Sequence, residues 1–346
     1  MHTLLRATEE RFRPPQIVPH RSLVTPAQTA AIGKGAGGPQ DRADILRERG
    51  AGRTPTIVLG GLVPDAVEQV FLLRRFLLRS GDLYYVHYSR AGFSLDLLCA
   101  QLDDLVAELS AAGQPPVILA VSFGAGVALE WLRRARLAGR NPPIGGIVLV
   151  SPVTCAADVI GAEERRAPSL LGRALQPFLA PEPPASTAVE KARTLLRRMF
   201  EAGAQNRAAL QRLMTSAEAE RLRHAVTTTI RSVSVAGACA RAKALVAMHP
   251  PTDYFSLCLL PLTNAPALIL FAEREDAVVD RDAPVRFVFD RVPGAYFPRS
   301  SVQYVVAKPG AAPVQHASLI FHAFEFRAPL QAFYQRVRRS PFAFAA

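Results

Sequence analysis

The chain has 346 residues, enough for one large domain with an insertion or for two domains of about 150 residues each. Hydrophobic residues make up 49% and charged residues 20%, which excludes wholesale disorder. The formal charge is +12, but only Lys34, Lys191, Lys243 and Lys308 among the 41 basic residues are lysines, and such an arginine bias does not by itself imply nucleic-acid binding.

Residues 1–53 are rich in Pro, Gly and Arg and carry little periodicity. They read as an N-terminal extension holding edge strands or a loosely packed arm. Its first residues, MHTLLRATEERFRPP, contain an acidic pair and no apolar core of signal-peptide length. From Thr54 short apolar runs alternate with segments of helical period, the pattern of βαβ units around a parallel sheet. The runs Thr56–Leu59, Leu83–His87, Val117–Val121, Gly146–Val150, Leu268–Ala272 and Val302–Ala307 are expected strands. Ala66–Arg79, Leu95–Ala112 and Gly124–Ala138 are expected helices between the first four. In the second of these, Leu95, Leu98, Leu102, Leu105 and Leu109 share one face opposite a polar one. The fold class is α/β, a mostly parallel, doubly wound sheet.

The alternation stops near Ser151 and resumes near Ala267. The text between is Pro-rich and then helical, VEKARTLLRRMFEAGAQNRAALQRLM followed by AEAERLRHAVTTTIRS. Residues 155–263 therefore read as a helical cap inserted into a core of 54–154 and 264–346. Residues 160–245 hold 14 Lys and Arg against 7 Asp and Glu. That surplus fits an anionic substrate or a peripheral contact with an anionic membrane, and equally the solvated faces of surface helices.

The stretch PPVILAVSFGAGVALEWLRR, residues 115–134, places Ser122 between an aliphatic run and a helix. A serine at a sharp strand-to-helix turn needs small neighbours, and Ala120, Gly124 and Gly126 supply them. Its Oγ would then stand at a helix N-terminus, where backbone N–H groups can receive an oxyanion. A helix-capping serine in an ordinary turn is the alternative. The segment resembles the nucleophile elbow of the α/β-hydrolase superfamily, in an Ala-x-Ser-x-Gly form in place of Gly-x-Ser-x-Gly.

The resemblance implies partners for Ser122. In ALILFAEREDAVVD, residues 267–280, Asp276 followed by Ala277-Val278-Val279 matches the place of the triad acid, with Glu273, Glu275 and Asp280 as rivals. In VQYVVAKPGAAPVQHASLIFHAFEF, residues 302–326, His316 occupies the loop position of the general base as the chain enters its last helix. His322, inside that helix, reads as structural. The order Ser122, Asp276, His316 is the superfamily's order. The oxyanion donors would be the backbone N–H of Phe123 and, from the loop Gly60-Gly61-Leu62, that of Leu62. Arg90, Gly92, Phe93 and Ser94 resemble a structural turn of the superfamily, with Ser94 capping the helix that follows.

Other signals are weaker. Residues 33–38 contain GxGxxG, but no strand precedes it, so no dinucleotide cofactor is expected. The seven histidines and four dispersed cysteines offer no metal-ligand spacing and no disulfide framework. No run of about 18 apolar residues suggests a membrane span. A cytoplasmic location is expected, and no nucleic-acid partner. The sequence points to a serine hydrolase of a small-molecule carboxylic ester. A thioesterase or acyltransferase on the same triad, and a hydrolase fold serving as a non-catalytic binding protein, stand as alternatives.

Overall fold

The computed structural model describes residues 16–22, 25–160, 167, 169–203 and 214–339. One sheet carries the strands β1 (Ile17–Pro19), β2 (Asp44–Glu48), β3 (Thr56–Leu59), β4 (Leu83–His87), β5 (Val117–Val121), β6 (Gly146–Val150), β7 (Ala267–Ala272) and β8 (Ser300–Val305). Their spatial order is β1-β2-β4-β3-β5-β6-β7-β8. The two N-terminal strands join antiparallel at one edge, and all other pairings are parallel. The central strands TIVL, VILAV, GIVLV and ALILFA are buried throughout. Their continuous aliphatic text reflects a sheet covered on both faces.

Alternate residues feed two cores. Ile57, Leu59, Ile118, Ala120, Ile147 and Leu149 point to one, and Val58, Leu119, Val121, Val148 and Val150 to the other. The helices, in chain order, are α1 (Pro26–Gly33), α2 (Ala66–Gln69), α3 (Arg74–Leu78), α4 (Leu95–Ala111), α5 (Phe123–Leu137), α6 (Ala157–Ile160), α7 (Leu170–Leu175), α8 (Ser186–Gly203), α9 (Ser216–Ser232), α10 (Val235–Ala247), α11 (Pro284–Arg291), α12 (Pro293–Tyr296) and α13 (Ala323–Arg339). Helices α4, α5 and α11 bury their apolar residues in the first core; α3 and α13 bury theirs in the second. Ser94 caps α4, its side chain accepting from the Leu97 N–H. The arm is tied down where Asp104 of α4 accepts from the N–H groups of Ala27 and Gln28 and from the Gln28 amide. A carboxylate at a helix N-terminus satisfies donors that have no intrahelical partner.

Beyond shifts of one or two residues at element ends, as for β8, two elements differ from the sequence reading. The expected helix over 66–79 is α2 and α3 separated by a turn, where Phe71 and Leu73 N–H groups bond three residues back and tighten the chain. The last helix begins at Ala323, so His316 and His322 both precede it. Between β6 and β7 the described residues form helices and no strand. The stretches 1–15, 161–166 and 204–213, the last expected as helix, lie outside the described residues. Among the described residues no helix is long and apolar enough to cross a membrane.

Candidate active site

Ser122 sits between β5 and α5 with φ 51° and ψ −118°, in the left-handed region that a non-glycine residue enters only under constraint. Its N–H donates to the Val150 carbonyl at 2.9 Å, and its own carbonyl accepts from Ala125 and Val153. The small neighbours are required by contact. A Cβ on Gly124 would lie 2.4 Å from the Leu59 carbonyl oxygen, and one on Gly126 would lie 2.6 Å from that of Val153. Helix α5 thus starts hard against β3 and the loop after β6, which pushes the serine to the end of the sheet.

His316 reaches the serine from the loop after β8. That loop is laid beside the end of β7 by the Arg274 N–H donating to the Val314 carbonyl at 2.9 Å. Ala317, with φ 50°, donates its N–H to Ser151 Oγ at 2.9 Å, so a buried hydroxyl at the end of β6 holds the turn. His316 Nε2 lies 2.9 Å from Ser122 Oγ, and Nδ1 is hydrogen-bonded to Glu275 Oε2. A carboxylate only accepts, so Nδ1 carries the proton. Nε2 is left free to accept from the serine hydroxyl.

The acid on this histidine is Glu275, which corrects the expectation of Asp276. Glu275 is 2% exposed, and its Oε1 accepts from the Ala272 N–H at 2.6 Å while Oε2 takes the imidazole. The Asp276 side chain is 48% exposed and stands 3.8 Å from both Arg281 and Arg286. Side chains of adjacent residues leave a turn in different directions, and here the glutamate folds inward. Of the other rivals, Glu273 accepts from the N–H groups of Ala307 and Val314, while Asp280 accepts from that of Asp282. His322 is buried between the Ser318 hydroxyl and the Ala312 carbonyl.

The loop after β3 lies against the serine: a Cβ on Gly61 would be 3.5 Å from Ser122 Cβ. Tyr88 donates its hydroxyl to the Gly60 carbonyl at 2.9 Å, and Gln69 Oε1 accepts from the Gly61 N–H at 2.8 Å. Sequence reasoning passed over both. Gln69 begins from a short helix with no pattern of its own, and Tyr88 comes from a different strand end. A cavity of about 120 Å³ opens on Ser122 and His316 and is roofed by Leu171, Leu196, Met199, Phe200 and Val226 from α7, α8 and α9. A second space of about 60 Å³ adjoins it, sharing Leu62, Val63 and Leu196.

Among solved structures, the esterase RhEst1 from Rhodococcus sp. ECU1013 matches with a TM-score of 0.56 at 16% identity, over 85% of this chain and 96% of its own. The chain has the α/β-hydrolase fold. An esterase from Thermogutta terrifontis matches this chain with a TM-score of 0.56 at 13% identity, covering 93% and 99% of the two chains. A bromoperoxidase from Bacillus anthracis matches with 0.55 at 17% identity, over 86% and 97%. At these identities the likeness is one of fold. No family model and no curated protein matches the sequence.

Proposed function

We propose that this α/β-hydrolase-fold protein is a serine hydrolase that cleaves a neutral carboxylic ester through an acyl-enzyme on Ser122. The observation that carries the reading is the continuous relay from Ser122 Oγ through both His316 nitrogens to the buried Glu275 carboxylate. His316 takes the serine proton as Oγ attacks the ester carbonyl, and Glu275 holds the tautomer and stabilises the imidazolium that forms. The oxyanion is received by the N–H groups of Phe123 and Leu62. As the first residue of α5, Phe123 has no intrahelical acceptor for its N–H. The imidazolium then protonates the departing alkoxide, and water, deprotonated by the same histidine, releases the acid.

The helices between β6 and β7 act in this reading as the cap that shapes the acyl pocket. Its lining is mostly aliphatic and aromatic, and among the described residues neither Lys nor Arg lines the space beside Ser122. Of the basic residues in these helices, Arg193 and Arg241 border the second space, while Arg197 pairs with Glu201 and Arg223 with Glu220. An uncharged acyl group fits such walls better than an anionic one, because a buried anion without a partner is costly. The solved structures matched here include proteins named as esterases.

The test is a panel of p-nitrophenyl esters of graded acyl length, neutral and carboxylate-bearing, with matched thioesters. Hydrolysis that favours neutral oxoesters supports the proposal. Turnover confined to thioesters or to anionic esters would contradict it.

A further inference from the structure

Three consecutive residues of the loop beside Ser122 are each held by a side chain from elsewhere. Gly60 is held by Tyr88 and Gly61 by Gln69; the third, Leu62, is held from the cap. Arg241 of α10 donates from Nη1 to the Leu62 carbonyl at 3.0 Å and from Nη2 to the carbonyls of Tyr88 and Ser89 at 3.1 and 2.8 Å. Its guanidinium lies 5.6 Å from the centroid of the Tyr88 ring, a cation–π contact with the residue that holds Gly60.

The placement of α10 is specific to this contact. Ser234, Gly237 and Arg241 are spaced to share one helical face. Ser234 donates its N–H and its hydroxyl to the carbonyls of Arg90 and Ala91. A Cβ on Gly237 would lie 2.5 Å from the Arg90 carbonyl oxygen, so the helix approaches that turn as closely as backbone allows. One turn further on, Arg241 enters the loop.

A guanidinium here is expensive. Arg241 is 3% exposed, and no carboxylate among the described residues lies within ion-pair distance. Its Nε is buried without a hydrogen-bond partner. Burial lowers its pKa to about 10, which leaves it charged at neutral pH. An apolar side chain of similar volume would fill the place without the desolvation cost, so packing alone does not account for a charge.

We propose that Arg241 is a positioning residue that fixes Leu62 so that its N–H faces the oxyanion, which makes seating of the cap a condition of turnover. This rests on the hydrolase reading above. Arg241 borders the second space but does not line the cavity beside Ser122, and it acts on the chemistry through the Leu62 backbone.

The test uses the full chain as wild type, R241M and R241K, with competent sites counted by fluorophosphonate labelling at Ser122 before kinetics on a neutral ester. For R241M, kcat per labelled site is expected to fall at least about tenfold, below the ~10²–10³ cost of deleting an oxyanion donor outright, with KM within about twofold. R241K keeps the charge but not the fork, and kcat is expected to fall about three- to tenfold. A loss of packing alone would lower the count of labelled sites and leave kcat per site intact. If R241M does not fold, R241K is read by the same criterion. kcat per site within twofold of wild type, or a change in KM alone, overturns the proposal. A wild type that neither labels at Ser122 nor hydrolyses the ester overturns the hydrolase reading, and the positioning role falls with it.

Discussion

The proposed catalytic relay turns on which of two adjacent acids faces His316. Glu275 is buried, braced by the Ala272 N–H and bonded to Nδ1, whereas Asp276 is half exposed between two arginines. Glu275→Gln should therefore lower kcat by about 10²–10⁴, since an amide at this place can turn its NH₂ to Nδ1 and favour the wrong tautomer. Asp276→Asn should leave kcat within about twofold, because the ion pairs it removes are exposed and long. Steady-state kinetics on the two variants settles the assignment; equal losses in both would contradict it. The misreading of the acid has a physical origin. Glu273, Glu275 and Asp276 all lie within a few residues of the strand end, and sequence does not encode the twist of the turn that selects one. The places of Ser122 and His316 beyond strand ends were legible because aliphatic runs mark those ends sharply.

At the scale of elements, the turn at Ser122 is a packing constraint. Gly124 passes the carbonyls of Leu59 and Gly60 so closely that Gly124→Ala should destabilise the protein by upwards of about 3 kcal/mol, the top of the range for overpacking. Denaturant unfolding of the variant checks this, and a loss below about 1 kcal/mol would contradict it. The contact between α2 and α9 adds a pH dependence. Glu68 accepts from the Thr229 hydroxyl and the Asp65 N–H, and burial, with the Asp65 charge second, raises its pKa from 4.5 to about 7. A raised carboxyl pKa favours the folded state below about pH 4.5, and that contribution is lost as pH rises through about 7. Melting temperatures of wild type should thus fall more steeply between pH 5 and pH 8 than those of Glu68→Gln. Parallel profiles would contradict the assignment.

For the whole molecule, the sheet and its two cores were legible from β-branched runs and their spacing, and the N-terminal strands only as a class of edge structure. The holders of the Gly60–Leu62 loop were not legible, because Gln69, Tyr88 and Arg241 belong to three separate elements that only the tertiary fold brings together. The basic surplus was legible as charge but not as direction: among the described residues no arginine lines the cavity beside Ser122, while Arg193 and Arg241 border the second space. On the proposed function, chain-length preference would be set by the assembled cavity. Leu196 borders both spaces, so Leu196→Trp should block passage from one to the other. Its kcat/KM for long acyl chains should drop about 10-fold or more, at ~1–3 kcal/mol per displaced methylene, with the shortest esters spared. A uniform loss across the ester series would contradict this.

The central claim is that Ser122 is an activated nucleophile. A fluorophosphonate probe applied to the full chain, with the adduct located by peptide mass spectrometry, tests it most directly. The account predicts one modified residue, Ser122, with labelling abolished in Ser122→Ala and strongly slowed in His316→Ala. A folded wild type that stays unlabelled, or an adduct on another residue that persists in Ser122→Ala, would contradict it.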